Sequence, residues 1–477
     1  MKKINKTNDE LMDFKNILEK EINKATFKNI NVGYLLSDYL EGQLLIDSSS
    51  KLNRESFSLK NNLINIFRSF YFFLKIIYKF FISYFKENRH DFTFPKKYNV
   101  LTLISNHTHI SNINMPLMSY DEEISTIVFY NLKEVNFKSP PNVKLIDYNK
   151  FNYFNESEWR NEFWKMAIKW GKIIRKLKKE HNIRLNTNFL LFVLSVQTQK
   201  LMTFLSLFKE NPPNLVITEY DRNDIASVIV TSANHFQIPT FTFIHGVPLL
   251  NNNVYPFLAQ NIMCYGKIQY QKFKDIISHT QKLLIVGCHF NSPKLIEESF
   301  STKINVTFAL SGVHMKNIDD IIDFCETISK NKNLNGIVKL HPSRNKNIFK
   351  KLINDYPLIS FVDRSDHEYD KIIQKQDIAV INETSYAFDS LLFGSNVIIY
   401  SKNDLAPDSL NEELVINAKI PVAKSIDELT SLLVLITTDS DYLKNMNSYR
   451  QDFVNNYYDS IGEESLNKVK DVLNNCL

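Results

Sequence analysis

The sequence predicts an α/β protein of two Rossmann-like domains facing a cleft, with an N-terminal helical extension. Three observations predict it. Short β-type apolar runs alternate with stretches of helical length over most of the chain after residue 97, as in parallel sheets covered by helices. The alternation falls into two series. Each series also has a run ending at a histidine: His245 in Phe243-Ile-His-Gly-Val-Pro248, and His341 in Val338-Lys-Leu-His-Pro-Ser-Arg344. Ligands of open α/β sheets bind outside the carboxyl ends of the strands. Two such ends suggest two half-sites on one cleft, and a two-domain transferase acting on a nucleotide-activated donor.

The chain has 477 residues, 44% hydrophobic and 23% charged, enough for two or three globular domains. Its 10 glycines fall well below the usual ~7%, and no glycine-rich phosphate loop is present. Phosphate would have to be held by helix N-termini, hydroxyls and cations. A net charge of +5 is too small to argue for nucleic acid, and no nucleic-acid-binding module is recognised. Cys264, Cys288, Cys325 and Cys476 have neither metal-ligand nor disulfide-framework spacing. A reducing cytoplasm fits them, and no apolar signal core follows the first ten residues.

Residues 1–95 read as a helical lead-in. Within it, residues 57–88 are rich in Phe, Ile, Leu and Tyr, yet Arg68, Lys75 and Lys79 interrupt any membrane span. At 100° per residue, Lys60, Arg68, Lys75, Lys79 and Lys86 share about 100° of arc. Two readings fit. The helix lies in a membrane interface with its cations toward headgroups, or it is buried in the protein with its cationic edge in water.

Residues 96–275 read as the first Rossmann-like domain, presenting the acceptor. Strands are expected at 99–104, 124–130 and 143–148, then a long helix at 156–180. That helix holds all three tryptophans. From Trp159 to Arg184 there are nine basic and two acidic residues. A solvated face is one reading; an anionic membrane surface or an acidic acceptor is the other. An apolar helix follows at 186–209. Next come a strand at 215–219, a helix at 224–236, strands at 240–244 and 261–265, and a helix at 269–278. Residues 276–440 read as the second, donor-binding domain, opening with a strand at Lys282 and continuing to the strand at 397–400. Residues 441–477 read as a C-terminal helix packing back across both domains.

The candidate site residues sit at strand ends. His245, beside Gly246, suits a base for an acceptor hydroxyl; a structural histidine bonded to backbone fits as well. Glu219 and Asp221, after a strand, could orient it or serve as the base themselves. His107 and His109 follow the first strand and could line the acceptor cleft; they lack a third partner for a metal site. His314 is a further cleft candidate. His341, with Lys339 and Arg344 close by, suits a departing phosphate; the alternative is a histidine capping the next helix. Thr384 and Ser385 open a helix after a strand, which makes either an anion site or an ordinary N-cap. Asp389 lies one turn on and could orient Ser385. Glu383 could reach a ribose hydroxyl. No metal and no cofactor is expected.

Taken in order, these strings resemble the GT-B group that includes CDP-glycerol glycerophosphotransferases, bacterial sialyl- and polysialyltransferases and capsule Kdo transferases. The resemblance covers roughly residues 210–405. Its clearest part is Asn382-Glu383-Thr384-Ser385, three residues, then Asp389, where the glycerophosphotransferases have Asp-Tyr-Ser-Ser, three residues, then Asp. His341-Pro342 resembles the His-Pro motif at the donor phosphate. His245-Gly246 resembles the His-Gly element of the acceptor domain, whose histidine is a proposed base. Asn382 and Glu383 depart from the motif, and no lysine follows His245-Gly-Val-Pro248.

The resemblance implies an inverting, metal-independent glycosyltransferase. The donor would be a nucleotide sugar, CMP-sugar favoured, held by His341, Arg344, Glu383, Thr384, Ser385 and Asp389. The acceptor would be a glycan or lipid-linked glycan of the bacterial surface, in capsule or lipopolysaccharide biosynthesis. The protein would be cytoplasmic, peripheral on the inner face of an anionic cytoplasmic membrane. A polyol-phosphate transferase, or a non-catalytic membrane-associated scaffold in polysaccharide assembly, are the alternatives.

Overall fold

The computed structural model describes residues 26–27, 30–31, 70–78, 98–104, 126–130, 141–148, 155–181, 186–218, 224–243, 257–275, 277–288, 303–310, 318–341, 346–363, 365–366, 369–382, 384–405 and 409–475. Its strands form two large parallel sheets and one small antiparallel pair, Thr26–Phe27 with Ile30–Asn31.

The first sheet contains β1 (Val100–Ile104), β2 (Thr126–Tyr130), β3 (Val143–Asp147), β4 (Leu215–Thr218), β5 (Thr240–Phe243), β6 (Asn261–Cys264) and β7 (Lys282–Ile285). Their order is β3-β2-β1-β4-β5-β6-β7, every pair parallel. Helices α1 (Glu156–His181), α2 (Thr187–Glu210), α3 (Asp224–His235) and α4 (Lys267–Phe273) belong to this half. By length and composition α2 could cross a membrane, but most of that stretch is buried inside the protein. It is the central core helix: Leu190, Val193, Leu194, Leu201 and Phe204 pack in one cluster with Trp159, Phe163 and Trp170 of α1. Asn186 caps it, its side chain accepting the Phe189 N–H, which satisfies one of the unpaired N–H groups that start a helix.

The second sheet contains β8 (Ile304–Ala309), β9 (Leu334–Lys339), β10 (Ser360–Val362), β11 (Ile378–Ile381), β12 (Asn396–Tyr400) and β13 (Val422–Ala423). Its order is β10-β9-β8-β11-β12-β13, again all parallel. Helices α5 (Ile318–Ser329), α6 (Lys350–Asp355), α7 (Ile372–Lys375), α8 (Tyr386–Leu392), α9 (Leu410–Ala418) and α10 (Ile426–Thr438) accompany it. Every residue of β11 and β12 is buried. A parallel strand covered on both faces needs such a continuous apolar run. Both sheets thus start in the middle, run outward one way, then return and run outward the other way.

The expected opening of the second series at Lys282 is corrected. Lys282–Ile285 pairs with Asn261–Cys264 as the edge strand β7 of the first sheet, and the second sheet begins at Ile304. The expected helix at 269–278 spans Lys267–Phe273.

The expected single C-terminal helix is two, α11 (Ser440–Tyr457) and α12 (Glu463–Asn474). α11 packs in the second half, where Phe453, Val454 and Tyr457 meet Phe388 and Leu391. α12 lies on the first sheet, with Val469 and Leu473 against Val100, Leu215, Phe241 and Val286. The segment between them is stitched to the ends of β6 and β7. Asp459 N–H donates to Tyr265 O at 2.8 Å, Cys288 N–H to Ser460 O at 2.8 Å, and Gly462 N–H to Cys288 O at 2.9 Å. Two glycines admit this strap. A Cβ on Gly266 would overlap the Tyr457 carbonyl, and Gly287, at φ +81°, has Ser460 against the same position.

Of the expected helix at 57–88, the described residues are 70–78, and they are helical. Their orientation differs from both readings above, each of which turns the cationic edge outward, to headgroups or to water. Ile76 is buried and Phe72 and Lys75 are half-buried. The Phe72 ring centroid lies 4.9 Å from that of Phe189 on α2, and the Lys75 ammonium 5.4 Å from that of Phe192. Lys75, the one cation among these described residues, lies over aromatic rings, and the apolar arc turns out.

Candidate functional site

In a doubly wound sheet the crevice opens where the connections part to opposite sides, at the carboxyl ends of the strands. In the second sheet that point lies between β8 and β11. Ala309 at the end of β8 stands in register with Lys339 of β9 on one side and Ile381 of β11 on the other. His341 and the stretch Asn382–Asp389 therefore leave the sheet on opposite sides of β8.

Lys339 joins them. Its ammonium lies 3.4 Å from the Tyr369 ring centroid and 5.1 Å from that of Tyr386, the first residue of α8. A cation over two ring faces is held by their quadrupoles. Tyr369 donates its hydroxyl to Leu340 O at 2.8 Å, which fixes the backbone just before His341. His341 itself is half-buried. Beyond it, Lys346 N–H donates to the Asp363 carboxylate at 2.7 Å, and the Lys346 ammonium meets Asp366 at 2.5 Å. Both ends of the segment following β9 are therefore anchored.

On the β11 side, Thr384 Oγ1 accepts the Tyr386 N–H at 3.4 Å. Ser385 is exposed, and its hydroxyl makes no capping bond. Asn382 explains its own departure from the aspartate of the motif. Its amide donates to Asp320 at 3.0 Å, and a carboxylate there would repel Asp320. Asp320 in turn meets Lys402 at 3.4 Å, Lys402 meets Asp323 at 2.5 Å, and Tyr400 donates to Asp323 at 2.5 Å. This network ties the ends of β11 and β12 to the first two turns of α5.

Asp389 is expected to orient Ser385; its electrostatic surroundings are different. Its side chain is exposed at the surface, although protein is dense around the carboxyl. That crowding pushes its carboxyl up to about 6, with the Lys339 charge pulling the other way. Its charge is felt by Tyr386, and by Tyr265 and Tyr458 at the junction with the first sheet. Burial, chiefly, holds those three phenols protonated. The Tyr265 and Tyr458 rings lie 5.8 Å apart. Tyr265 follows β6, so the charge of this carboxylate reaches the junction with the first sheet.

A pH dependence follows. The folded carboxyl keeps its proton up to about pH 6, whereas an unfolded one releases it near 4. The folded state binds the extra proton between those values, so stability falls as pH rises through that window. Urea midpoints measured across it should drop in the wild type and stay flatter in Asp389→Asn. Parallel curves would show that the carboxyl is not shifted.

Among the residues expected in the site, His341, Thr384, Ser385 and Asp389 flank one sheet crevice. His245, Glu219, Asp221, His107, His109, His314, Arg344 and Glu383 lie outside the described residues. Tyr265, Tyr369, Tyr386 and Tyr458 are contributors that sequence reasoning missed. Two carried a faint signal: Tyr265 directly follows a strand, and Tyr386 directly follows the hydroxyl pair.

No protein-family model matches the chain, and no curated protein matches it in sequence. Solved structures do resemble it in fold. A putative UDP-N-acetylglucosamine 2-epimerase from Listeria monocytogenes is 9% identical, with a TM-score of 0.52, over 79% of this chain and 96% of that one. The UDP-GlcNAc 2-epimerase from Neisseria meningitidis bound to UDP-GlcNAc is 11% identical, with a TM-score of 0.51, over 79% of this chain and all (100%) of that one. S. aureus MnaA with UDP is 11% identical, with a TM-score of 0.51, over 79% and 97%. The protein has the GT-B fold, two Rossmann-like domains facing a cleft. At these identities the likeness reaches the fold and not the reaction.

Proposed function

We propose that the protein is an inverting, metal-independent glycosyltransferase that moves a sugar from a nucleotide-activated donor, CMP-sugar favoured, to a glycan or lipid-linked glycan acceptor of the bacterial surface. One observation carries the reading: Lys339, His341 and the Thr384–Asp389 turn gather on two sides of β8 at the switch point of the second sheet. The sugar's anomeric carbon would bond to an acceptor hydroxyl oxygen while its bond to the donor phosphate breaks. His245, or Glu219 and Asp221, would take the hydroxyl proton. His341, with Arg344, would stabilise the charge that collects on the phosphate, and Thr384 and Ser385 would hold its oxygens. Glu383 would bind the ribose. Rate would come from orientation and from charge stabilisation where charge develops.

A second reading is supported by what the Listeria and Neisseria structures are called: epimerisation of a UDP-sugar. Such a reaction needs no acceptor.

A thermal-shift panel of CMP, CDP, UDP, GDP and ADP on wild type and His341→Ala tests both. One nucleotide should stabilise the wild type, by about 2.7 kcal/mol at a hundredfold excess over Kd, and the variant should lose part of that gain, because the free nucleotide already carries the phosphate charge that the intact donor develops only as its bond breaks. CMP would favour the transferase reading. UDP, with C2 inversion of UDP-GlcNAc in the absence of acceptor, would favour the epimerase. Folded protein that responds to none would sink both.

A further inference from the structure

An exposed apolar surface on the first half of the molecule is left unexplained by the nucleotide site. In the helix at 70–78, the side that faces α2 carries Phe72, Lys75 and Ile76. The opposite side carries Phe70, Tyr71, Phe73, Leu74, Ile77 and Tyr78, each between 45% and 63% exposed. At 100° per residue those six fill an arc of about 160° without one charge. Scattered apolar residues are ordinary on a protein surface; a contiguous set marks an interaction surface.

A second outward face rests on the same core helix. α1 packs its buried side on α2 within the cluster that also holds Ile76. Its outer side exposes Trp164 at 54% and Ile168 at 60%, beside exposed Lys165, Lys169, Lys172, Arg175 and Lys179. Of the two acidic residues near that face, Glu162 is paired with Lys165 at 2.8 Å, and exposed Glu158 leaves the face with a large excess of cations. Trp159 and Trp170 of the same helix are fully buried. An indole and an isoleucine among cations suit the boundary between anionic headgroups and acyl chains.

We infer that the first half of the protein docks on an anionic lipid bilayer, the outward arc of the 70–78 helix entering the acyl boundary and the α1 face lying against the headgroups. Charge decides between this occupant and a second copy of the chain. A two-fold interface sets one patch against itself, which would bring the α1 cations of two copies together. An anionic bilayer offers apolar depth and negative charge at once. The inference stands whether or not the nucleotide reading holds.

The test uses the full chain and extruded vesicles of phosphatidylcholine alone or mixed with phosphatidylglycerol. The wild type should sediment with the anionic vesicles and much less with the neutral ones, and added salt should weaken binding. Tryptophan emission should shift to the blue on binding, because Trp164 alone of the three has water to lose; Trp164→Phe should abolish the shift. Phe73→Glu with Ile77→Glu, at exposed positions, should lower partitioning by more than about tenfold without lowering Tm. Lys165→Glu with Lys169→Glu should erase the preference for anionic vesicles. Failure of the wild type to bind, or full binding by the Phe73/Ile77 variant, would overturn the inference. So would a wild-type dimer that the same pair of substitutions splits while vesicle binding persists.

Discussion

His341→Ala is expected to lower turnover by about 10²–10⁴-fold, the range for losing a group that donates a proton or hydrogen bond to developing charge. The donor KM should change far less. A histidine stabilising the departing phosphate acts mainly where that charge appears, and an interaction made only there lowers kcat and kcat/KM together. The side chain is half-buried, so Tm should fall by little. The preceding backbone is held independently by Tyr369 through Leu340, and the variant should keep the strand end in place. Steady-state kinetics with donor and acceptor would decide. Wild-type kcat in the variant would remove His341 from the chemistry, and a large loss of Tm would assign it to the structure instead.

Gly287→Val is expected to cost about 3 kcal/mol or more, and to release the C-terminal strap. Two penalties combine. The backbone at φ +81° lies where a β-branched residue is strained, and the new Cβ would overlap the hydroxyl and carbonyl of Ser460. The carbonyl cannot retreat cheaply, because it accepts the Cys288 N–H. Ser460→Ala in the same chain should therefore restore only part of the loss. Thermal melting, with protease cleavage between Tyr458 and Gly462, gives the readout. An unchanged Tm and an uncut strap would mean that the strap does not hold α12 on the first sheet.

Much of the fold was legible, for a local reason. Strands such as Ile378–Ile381 and Asn396–Tyr400 are buried on both faces, so they read as unbroken apolar runs. Lys282–Ile285 was assigned to the wrong half because its membership depends on pairing with Asn261–Cys264, a contact that no local pattern records. Val422–Ala423 is two residues long, below the length at which a pattern exists. The break between α11 and α12 had one signal, Gly462, whose φ of 62° ends the continuity.

In the site, a histidine at a strand end and a hydroxyl pair opening a helix were visible because the backbone dictates what such places can do. The tyrosines around Asp389 were not. Tyr386 lies one turn from Asp389, but at their positions Tyr265 and Tyr458 read as ordinary core aromatics, and nothing nearby in sequence ties them to that carboxylate. The 57–88 segment shows the same division. Its composition announced an amphipathic helix, but periodicity could not say which side faces inward.

The sequence by itself determined two doubly wound halves and the residue types available at their strand ends, because helix and strand periods and strand-end chemistry are local. The tertiary structure decided which strands share a sheet, that Lys339 bridges β9 to α8, that the Asp389 charge reaches Tyr265 and Tyr458, and that the apolar arc of the 70–78 helix faces outward. Each of these depends on groups far apart in the chain, and it is their desolvation and packing in space that sets the chemistry.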